Sequence, residues 1–380
     1  MKDKFIPSEE VNIENVMGFI ESQLLKEIKP REIKVYTSKE NWDYLLLPSI
    51  SKFLFEEINI IDNFAPLGQS NRPGNKYPKY YICVHDTGDY SLGAHQWSEI
   101  VKKAKNGDIK YTASFQYVVG NDGYYHNIPD DEEAHHAGDG HDERSLFGLV
   151  PTGVYINKSN KDKDNNSNNT RAKVEIDNEG YYTINGERAK VQAPRKNDEI
   201  LTTNDINDLG IYYTLKEQGE DNYEYYLGRT WYSPVYKKIS NYGGNLNSIG
   251  IEACINYGTD VYYTWQKVAK LVAKLRKENS LDMGAVVQHH YFSGKNCPQT
   301  TRTANLWEYF KDLVSVEYQM LQYQKQGYKF QFESEVKEYI NEKGRVIKKV
   351  NSPTTVNYTI TVTNNTGESL TKKFSSLLLP

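Results

Sequence analysis

Residues 286–299, VVQHHYFSGKNCPQ, constrain this chain more than any other stretch. Two adjacent histidines, a lysine and a cysteine fall within nine residues, from His289 to Cys297. Imidazole and thiolate are the ligands that Zn²⁺ prefers. The spacing is too wide for one helical face and too open for a Cys-x-x-Cys knuckle. It predicts a strand end carrying His289, a loop through Ser293 and Gly294, and Cys297 just before Pro298. A catalytic zinc site typically uses three protein ligands with water in the fourth position, so another part of the fold has to deliver a third donor.

Only eight histidines are available. His85, in KYYICVHDTGDY, is the best placed of them. Residues 80–84 are β-branched and aromatic, which predicts a buried strand ending at His85 just before a glycine turn. Sheets of the α/β class carry their chemistry at such strand ends. A strand ending VHDTG, then HAGDG at 136–140, SIGIE at 248–252 and the spacing His-x5-Lys-x-Cys-Pro resemble, in that order, the zinc-dependent N-acetylmuramoyl-L-alanine amidases. That family includes phage lysozyme-type amidases, bacterial autolysins and peptidoglycan recognition proteins. The resemblance covers residues 80 to about 140 and 248 to about 313, less than half of the chain.

The resemblance implies an α/β fold, a mixed central sheet flanked by helices, and a Zn²⁺ cofactor held by His85, His289 and Cys297. His289 is preferred to His290 because it lies six residues before Lys295 and eight before Cys297. Glu252 falls where related enzymes carry the acid that activates water, and Lys295 where they carry a cation for the oxyanion. Phe115 takes the place of a tyrosine used by some phage members. Having no proton to exchange, it shifts acid/base work to Glu252. His136, with Phe115, Asp86 and Thr87, is expected along the substrate cleft. The implied reaction is hydrolysis of the amide between N-acetylmuramic acid and L-alanine in peptidoglycan, of the endolysin or autolysin type. Two alternatives remain: a non-catalytic peptidoglycan-binding module, and a cysteine peptidase using Cys297 with His85 or His289.

Apart from the resemblance, Glu252 is flanked by apolar residues, a setting that disfavours the charged carboxylate and raises its pKa. The cluster of His135, His136 and His141 with Asp139 and Asp142 is a rival metal site on composition alone. Cys83 and Cys254 sit inside apolar strand patterns, as small buried thiols do. Three cysteines make no disulfide framework. With 46 basic and 50 acidic residues the net charge is −4, which gives no electrostatic footprint for nucleic acid. Residues 1–16 have no apolar core of a signal peptide, and no run reaches transmembrane length. Synthesis in the cytoplasm is therefore expected, with access to the wall by cell lysis, a holin or a phage particle. Oligomeric state stays open.

Three units are expected: an N-terminal accessory segment at 1–75, a catalytic domain at 76–327 with an insertion at 142–247, and a small C-terminal β module at 328–380. Residues 91–107 predict a helix ended by Gly107, and 112–129 a hairpin around Asn121-Asp122-Gly123. Within the insertion, 157–170 reads as a mobile polar loop and 173–191 as a hairpin or meander. The insertion as a whole, Tyr-rich at 211–245, is expected to form one wall of the substrate groove; the alternative is a surface elaboration facing away from it. Residues 261–280 predict an amphipathic helix with lysines on its outer side, and 303–327 a second helix stopped by Gly327. Beyond it, YKFQF, RVIKKV and residues 356–374 read as strands.

Overall fold

The computed structural model describes residues 11–36, 41–104, 113–137, 150–161, 172–193, 195–196, 199–200, 202–203, 213–227, 243–293 and 295–380. Six strands build the central sheet: β1 (Ile60–Asp62), β2 (Tyr81–Asp86), β3 (Tyr117–Gly120), β4 (Gly123–His126), β5 (Ser248–Ala253) and β6 (Val286–Gln288). Their order is β6-β2-β5-β3-β4-β1. The strands β6, β2, β5 and β3 are parallel neighbours, β3 and β4 form an antiparallel hairpin, and β1 runs parallel to β4. Parallel neighbours need long crossovers. Helix α1 (Ala94–Lys103) lies between β2 and β3, and helix α2 (Val261–Glu278) between β5 and β6.

Alternation along the strands divides side chains between two faces. Ile82, Val84, Ile249 and Ile251 enter the cluster made with α2 and helix α3 (Trp307–Lys325). Cys83 and Val287 pack on the opposite face. The helix α1 starts where its first free N–H groups find a carboxylate: Ala94 and His95 donate to Asp122, which sits in the β3–β4 turn, at 3.1 and 2.9 Å. The expected stop at Gly107 lies outside the described residues; α1 ends at Lys103.

Helix α2 is more enclosed than its pattern suggests. Lys267 is 4% exposed and Arg276 1%. Arg276 lies over the Tyr318 ring of α3 and Lys267 over Tyr124 and Tyr263, while the segment after residue 48 covers a further part: its Ser49 donates to Gln266 (2.7 Å) and Lys270 donates to the Leu54 carbonyl (2.9 Å). The outer, lysine-bearing side is thus partly covered by chain from the N-terminal region. Gly327 does end α3, with a positive φ of 92° that suits glycine.

The N- and C-terminal regions are not separate units in the pairing. Helix Ile13–Ser22, capped by Asn12 on the Asn15 N–H (2.8 Å), buries Val16, Met17 and Ile20 against Val356, Tyr358 and Ile360. Strand Glu27–Ile28 adds to the edge of strand Ser369–Leu378, giving one four-stranded sheet with Thr354–Thr363 and Lys329–Ser334. Residues 345–350, expected as a strand, form only isolated bridges, Ser49 with Arg345 and Ile340 with Val346. Val346 and Val350 are drawn into the shared core instead, and Arg345 pairs with Asp260 at the start of α2.

In the insertion, strands Val174–Ile176, Tyr181–Ile184 and Glu187–Gln192 form the expected meander, and Tyr213–Glu217, Asn222–Leu227 and Val150–Asn157 a second small sheet. Val154, Tyr182, Ile184, Tyr225 and Leu227 give them their own core. Asn157 closes a strand and Lys158–Lys161 is a helical turn; the rest of the expected polar loop lies outside the described residues. So do residues 138–149 and 228–242, on which the groove-wall expectation depends. Among the described residues no helix is long and apolar enough to cross a membrane.

Candidate metal centre

Strand register brings the first groups together. Glu252 on β5 is the register partner of His85 on β2, and both point to the face opposite α2. On the other side of β2, Val287 pairs with Cys83, so two residues further on His289 reaches the level of His85. The strand ends at Gln288, and His289 opens a helical turn, His289–Ser293, where a plain loop was expected. Two backbone bonds fold the segment back: His290 N–H to the Cys297 carbonyl (3.1 Å) and Cys297 N–H to the Lys295 carbonyl (2.8 Å). Gly294 lies outside the described residues.

The outcome is a cluster in which donor atoms of His85, His289 and Cys297 all lie within 4.8 Å of one another. The two imidazole rings are 4.6 Å apart between centroids. His85 Nδ1 is 3.7 Å from Cys297 Sγ and 3.7 Å from Glu252 Oε1. Two neutral imidazoles and a thiol match the donor set of a three-ligand zinc site with one open position. His290, also buried, is not in the cluster.

Electrostatics fit a cation there. Burial pushes His85 and His289 well below the usual imidazole range, with the Lys295 charge among the further causes, so both rings are neutral as ligation needs. Burial raises the Cys297 thiol, partly offset by Lys295. Burial also lifts Glu252 to about 8, against the pull of Lys295. Its Oε2 is buried and has no hydrogen-bond partner among the described residues. A site that leaves a thiol and a carboxyl reluctant to ionise is one that a divalent cation would stabilise.

His136 stands behind His85. Its Nδ1 is 2.9 Å from His85 Nε2, and Cys83 Sγ lies 3.1 Å from the same nitrogen. His85, Cys83 and His136 therefore make a second grouping with metal-like spacing. It uses the far nitrogen of His85, away from Glu252, and we read it as support for the ring. Burial, with the Lys79 charge, pushes His136 down to about 3, so it is neutral and can accept at Nδ1. A His85 Nε2–H donated to His136 leaves the His85 Nδ1 lone pair facing Cys297.

The other expected site residues are placed as follows. Phe115 is 6% exposed, inside the apolar cluster of Val101, Val118, Tyr125 and Cys254. Asp86, one residue beyond His85, takes the opposite face: its Oδ2 accepts the Thr300 N–H at 2.6 Å. Its own N–H points at Cys297 Sγ, 3.4 Å away. These contacts make Asp86 a tie between the β2 end and the cysteine segment. Thr87 is half-buried, its N–H on the Ala253 carbonyl (3.0 Å). His126, outside the cluster, stacks on Tyr117 and pairs with Asp62 and Asp130. His135 lies 4.0 Å from Glu133, and His141 falls outside the described residues.

Two contributors were not anticipated. Asn245 accepts from the N–H groups of His136 (2.9 Å) and Ala137 (2.7 Å) and so fixes that turn. Gly250, in mid-strand, leaves room for the His136 ring: a Cβ there would lie 2.6 Å from His136 Cδ2. A glycine inside a strand pattern signals such close approach, and SIGIE carried that signal.

No family model matches the chain. It is similar to the N-acetylmuramoyl-L-alanine amidase XlyA of Bacillus subtilis, 37% identical over 83 residues, which is 22% of this chain and 27% of the relative. It is likewise similar to the N-acetylmuramoyl-L-alanine amidase CwlH of the same organism, 37% identical over 76 residues, 20% of this chain and 30% of the relative. The chain therefore spans under a third of the length of these curated relatives. Among solved structures, the catalytic domain of XlyA aligns with 68% of this chain and 99% of its own, at 21% identity and a TM-score of 0.38. The PlyG catalytic domain aligns with 69% of this chain and 96% of its own, at 15% identity and a TM-score of 0.37.

Proposed function

Starting from this similarity to the N-acetylmuramoyl-L-alanine amidases, we propose that the chain hydrolyses the amide bond between N-acetylmuramic acid and the L-alanine of the stem peptide, as a zinc-dependent wall hydrolase of endolysin or autolysin type. The observation that carries the reading is the convergence of His85, His289 and Cys297 donor atoms within 4.8 Å, with the Glu252 carboxylate 3.7 Å from His85 Nδ1.

His85, His289 and Cys297 would hold the ion. Zinc held there would supply Lewis-acid polarisation of the scissile carbonyl and would make a nearby water more acidic. Glu252 takes the proton of the attacking water and returns it to the departing L-alanine amine. Its apolar flanks suit a group that alternates between base and acid. Lys295, whose charge is felt by His85, His289, Cys297 and Glu252, offers a donor for the negative charge that develops on the carbonyl oxygen. His136 holds the His85 ring in the tautomer that leaves Nδ1 bare. The Asp86–Thr300 bond holds Cys297 against the end of β2.

The cysteine-peptidase alternative is disfavoured by burial, which raises the Cys297 thiol where a nucleophile needs it lowered. The binding-module alternative leaves Glu252 and Lys295 without a purpose beside a complete donor set. Products from purified sacculi decide the reaction. New L-alanine amino termini without new reducing sugars are expected; new reducing ends, or no new termini, would refute it.

A further inference from the structure

Three aromatic rings gather at the same end of the sheet as His85 and Glu252, and the chemistry described so far uses none of them. Tyr90 lies five residues beyond His85, and Tyr257 five beyond Glu252. Five residues of chain reach at most about 18 Å. The two strands lie side by side in register, and their continuations stay together: Thr87 N–H bonds the Ala253 carbonyl (3.0 Å), and Tyr257 N–H the Tyr90 carbonyl (2.7 Å).

The third ring comes from the N-terminal region. Trp42, in the strand Asn41–Leu46, stacks on Tyr90 with centroids 4.5 Å apart and planes 23° from parallel. Tyr257 meets it edge-on at 5.9 Å. Trp42 packs against the main core, and the neighbouring Tyr44 hydroxyl donates to the Ile255 carbonyl, so the hairpin is fastened to the segment that bears Tyr257. The platform is fastened at its base and open on top: Tyr257 is 74% exposed and Tyr90 40%. Rings so exposed contribute little to the core.

We propose that Trp42, Tyr90 and Tyr257 form a sugar-stacking subsite that receives a pyranose ring of the glycan strand next to the residue whose stem peptide is cut. The proposal rests on the amidase reading for its substrate. A flat electron-rich face attracts the partly positive C–H bonds of a sugar, while phenol hydroxyls at the rim bond its hydroxyl groups. Three rings are too small a patch for a protein partner, which needs about 800 Å² on each side. Continuity with the strand ends that carry His85 and Glu252 selects the glycan. The N-terminal hairpin thereby gains a role in substrate binding that the amidase-like stretches do not contain.

The test uses the full chain with its metal and a β-1,4-linked N-acetylglucosamine tetramer, which has no stem peptide and so reports binding apart from hydrolysis. Calorimetric titration should show the tetramer binding the wild type and binding a Tyr90→Ala/Tyr257→Ala variant roughly tenfold or more weakly. On turnover, the ratio of KM for polymeric glycan to KM for a lone muramoyl peptide should rise in the variant. Absence of tetramer binding to the wild type, equal binding by the variant, or an unchanged KM ratio would each overturn the subsite. Tetramer binding without amide hydrolysis would leave the subsite standing and remove the amidase reading instead.

Discussion

Replacing Gly250 by alanine puts a methyl group where the His136 ring now lies, and the consequence can be followed to the metal. The new Cβ would sit 2.6 Å from His136 Cδ2 and 2.7 Å from Cγ and Nε2. Carbon atoms settle at about 3.5 Å or more, so the ring must retreat by about 0.9 Å. A retreat along the 2.9 Å contact between His136 Nδ1 and His85 Nε2 opens it to at most about 3.8 Å, beyond hydrogen-bond reach. His85 would then lose the partner that selects its tautomer, at a cost of about 10- to 100-fold in metal affinity, or about 1.4 to 2.7 kcal/mol. His136→Ala removes the same partner without strain and should weaken zinc by a similar factor, whereas His136→Gln, which retains an acceptor, should recover part of the loss. Competition with a chromophoric chelator measures the affinity, and circular dichroism verifies the fold. Wild-type zinc affinity in folded Gly250→Ala and His136→Ala would refute the support role. A loss in Gly250→Ala alone would reduce the effect to overpacking.

Two substitutions separate ligation from catalysis. His289→Ala should release the metal from a folded protein, checked by metal analysis after dialysis, and zinc retained at full stoichiometry would remove His289 from the donor set. Lys295→Ala should keep the metal yet lose about 10²- to 10³-fold in kcat, with turnover near wild type as the contrary result. Away from the site, Lys267 is buried beside Tyr124 and Tyr263, and burial lowers it from 10.5 to about 8, with Glu56 and Asp122 opposing. The unfolded lysine holds its proton more tightly, so stability is depressed below pH 8 and recovers as pH rises from about 8 to 10.5. The penalty at neutral pH is about 3 kcal/mol, less about 1–2 recovered over the two rings. Lys267→Met should therefore be more stable by about 1–2 kcal/mol in urea at pH 7, with the advantage shrinking towards pH 10. An advantage that does not change with pH would contradict this reasoning.

What could be read in the sequence divides along a physical line. Continuous apolar runs rich in β-branched residues located β2 and β5, and chemistry-bearing residues at their ends followed, because strand ends are where side chains leave the packed sheet. Parity was the finer signal. In YICVHD, His85 shares a face with Cys83 while Asp86 shares one with Val84, so the alternation itself set Asp86 on the α2 side, towards Thr300. The likeness to the amidases suggests the cleft for it, and the local geometry gives it a bond to the Thr300 N–H. His136 was expected near substrate; its contact with His85 required knowing that Gly250 opens the space between them. Pairing between Glu27–Ile28 and Ser369–Leu378 was out of reach, since two residues of strand carry no periodicity and their partner is some 350 positions away.

The covering of α2 shows the same limit from the other side. Its pattern reported one apolar stripe and a row of lysines, which is what a helix with a single packed face would show. The segment at 49–58 then laid the Ser51 and Leu54 carbonyls against it, taking Gln266 and Lys270 as donors, while Lys267 is enclosed over the Tyr124 and Tyr263 rings. A lysine stem can be buried while its ammonium finds a carbonyl or an aromatic face, so hydropathy alone does not tell a solvated row of lysines from a covered one. The pH dependence of Lys267→Met stability distinguishes them, because only an enclosed ammonium is lowered far enough to titrate near pH 8.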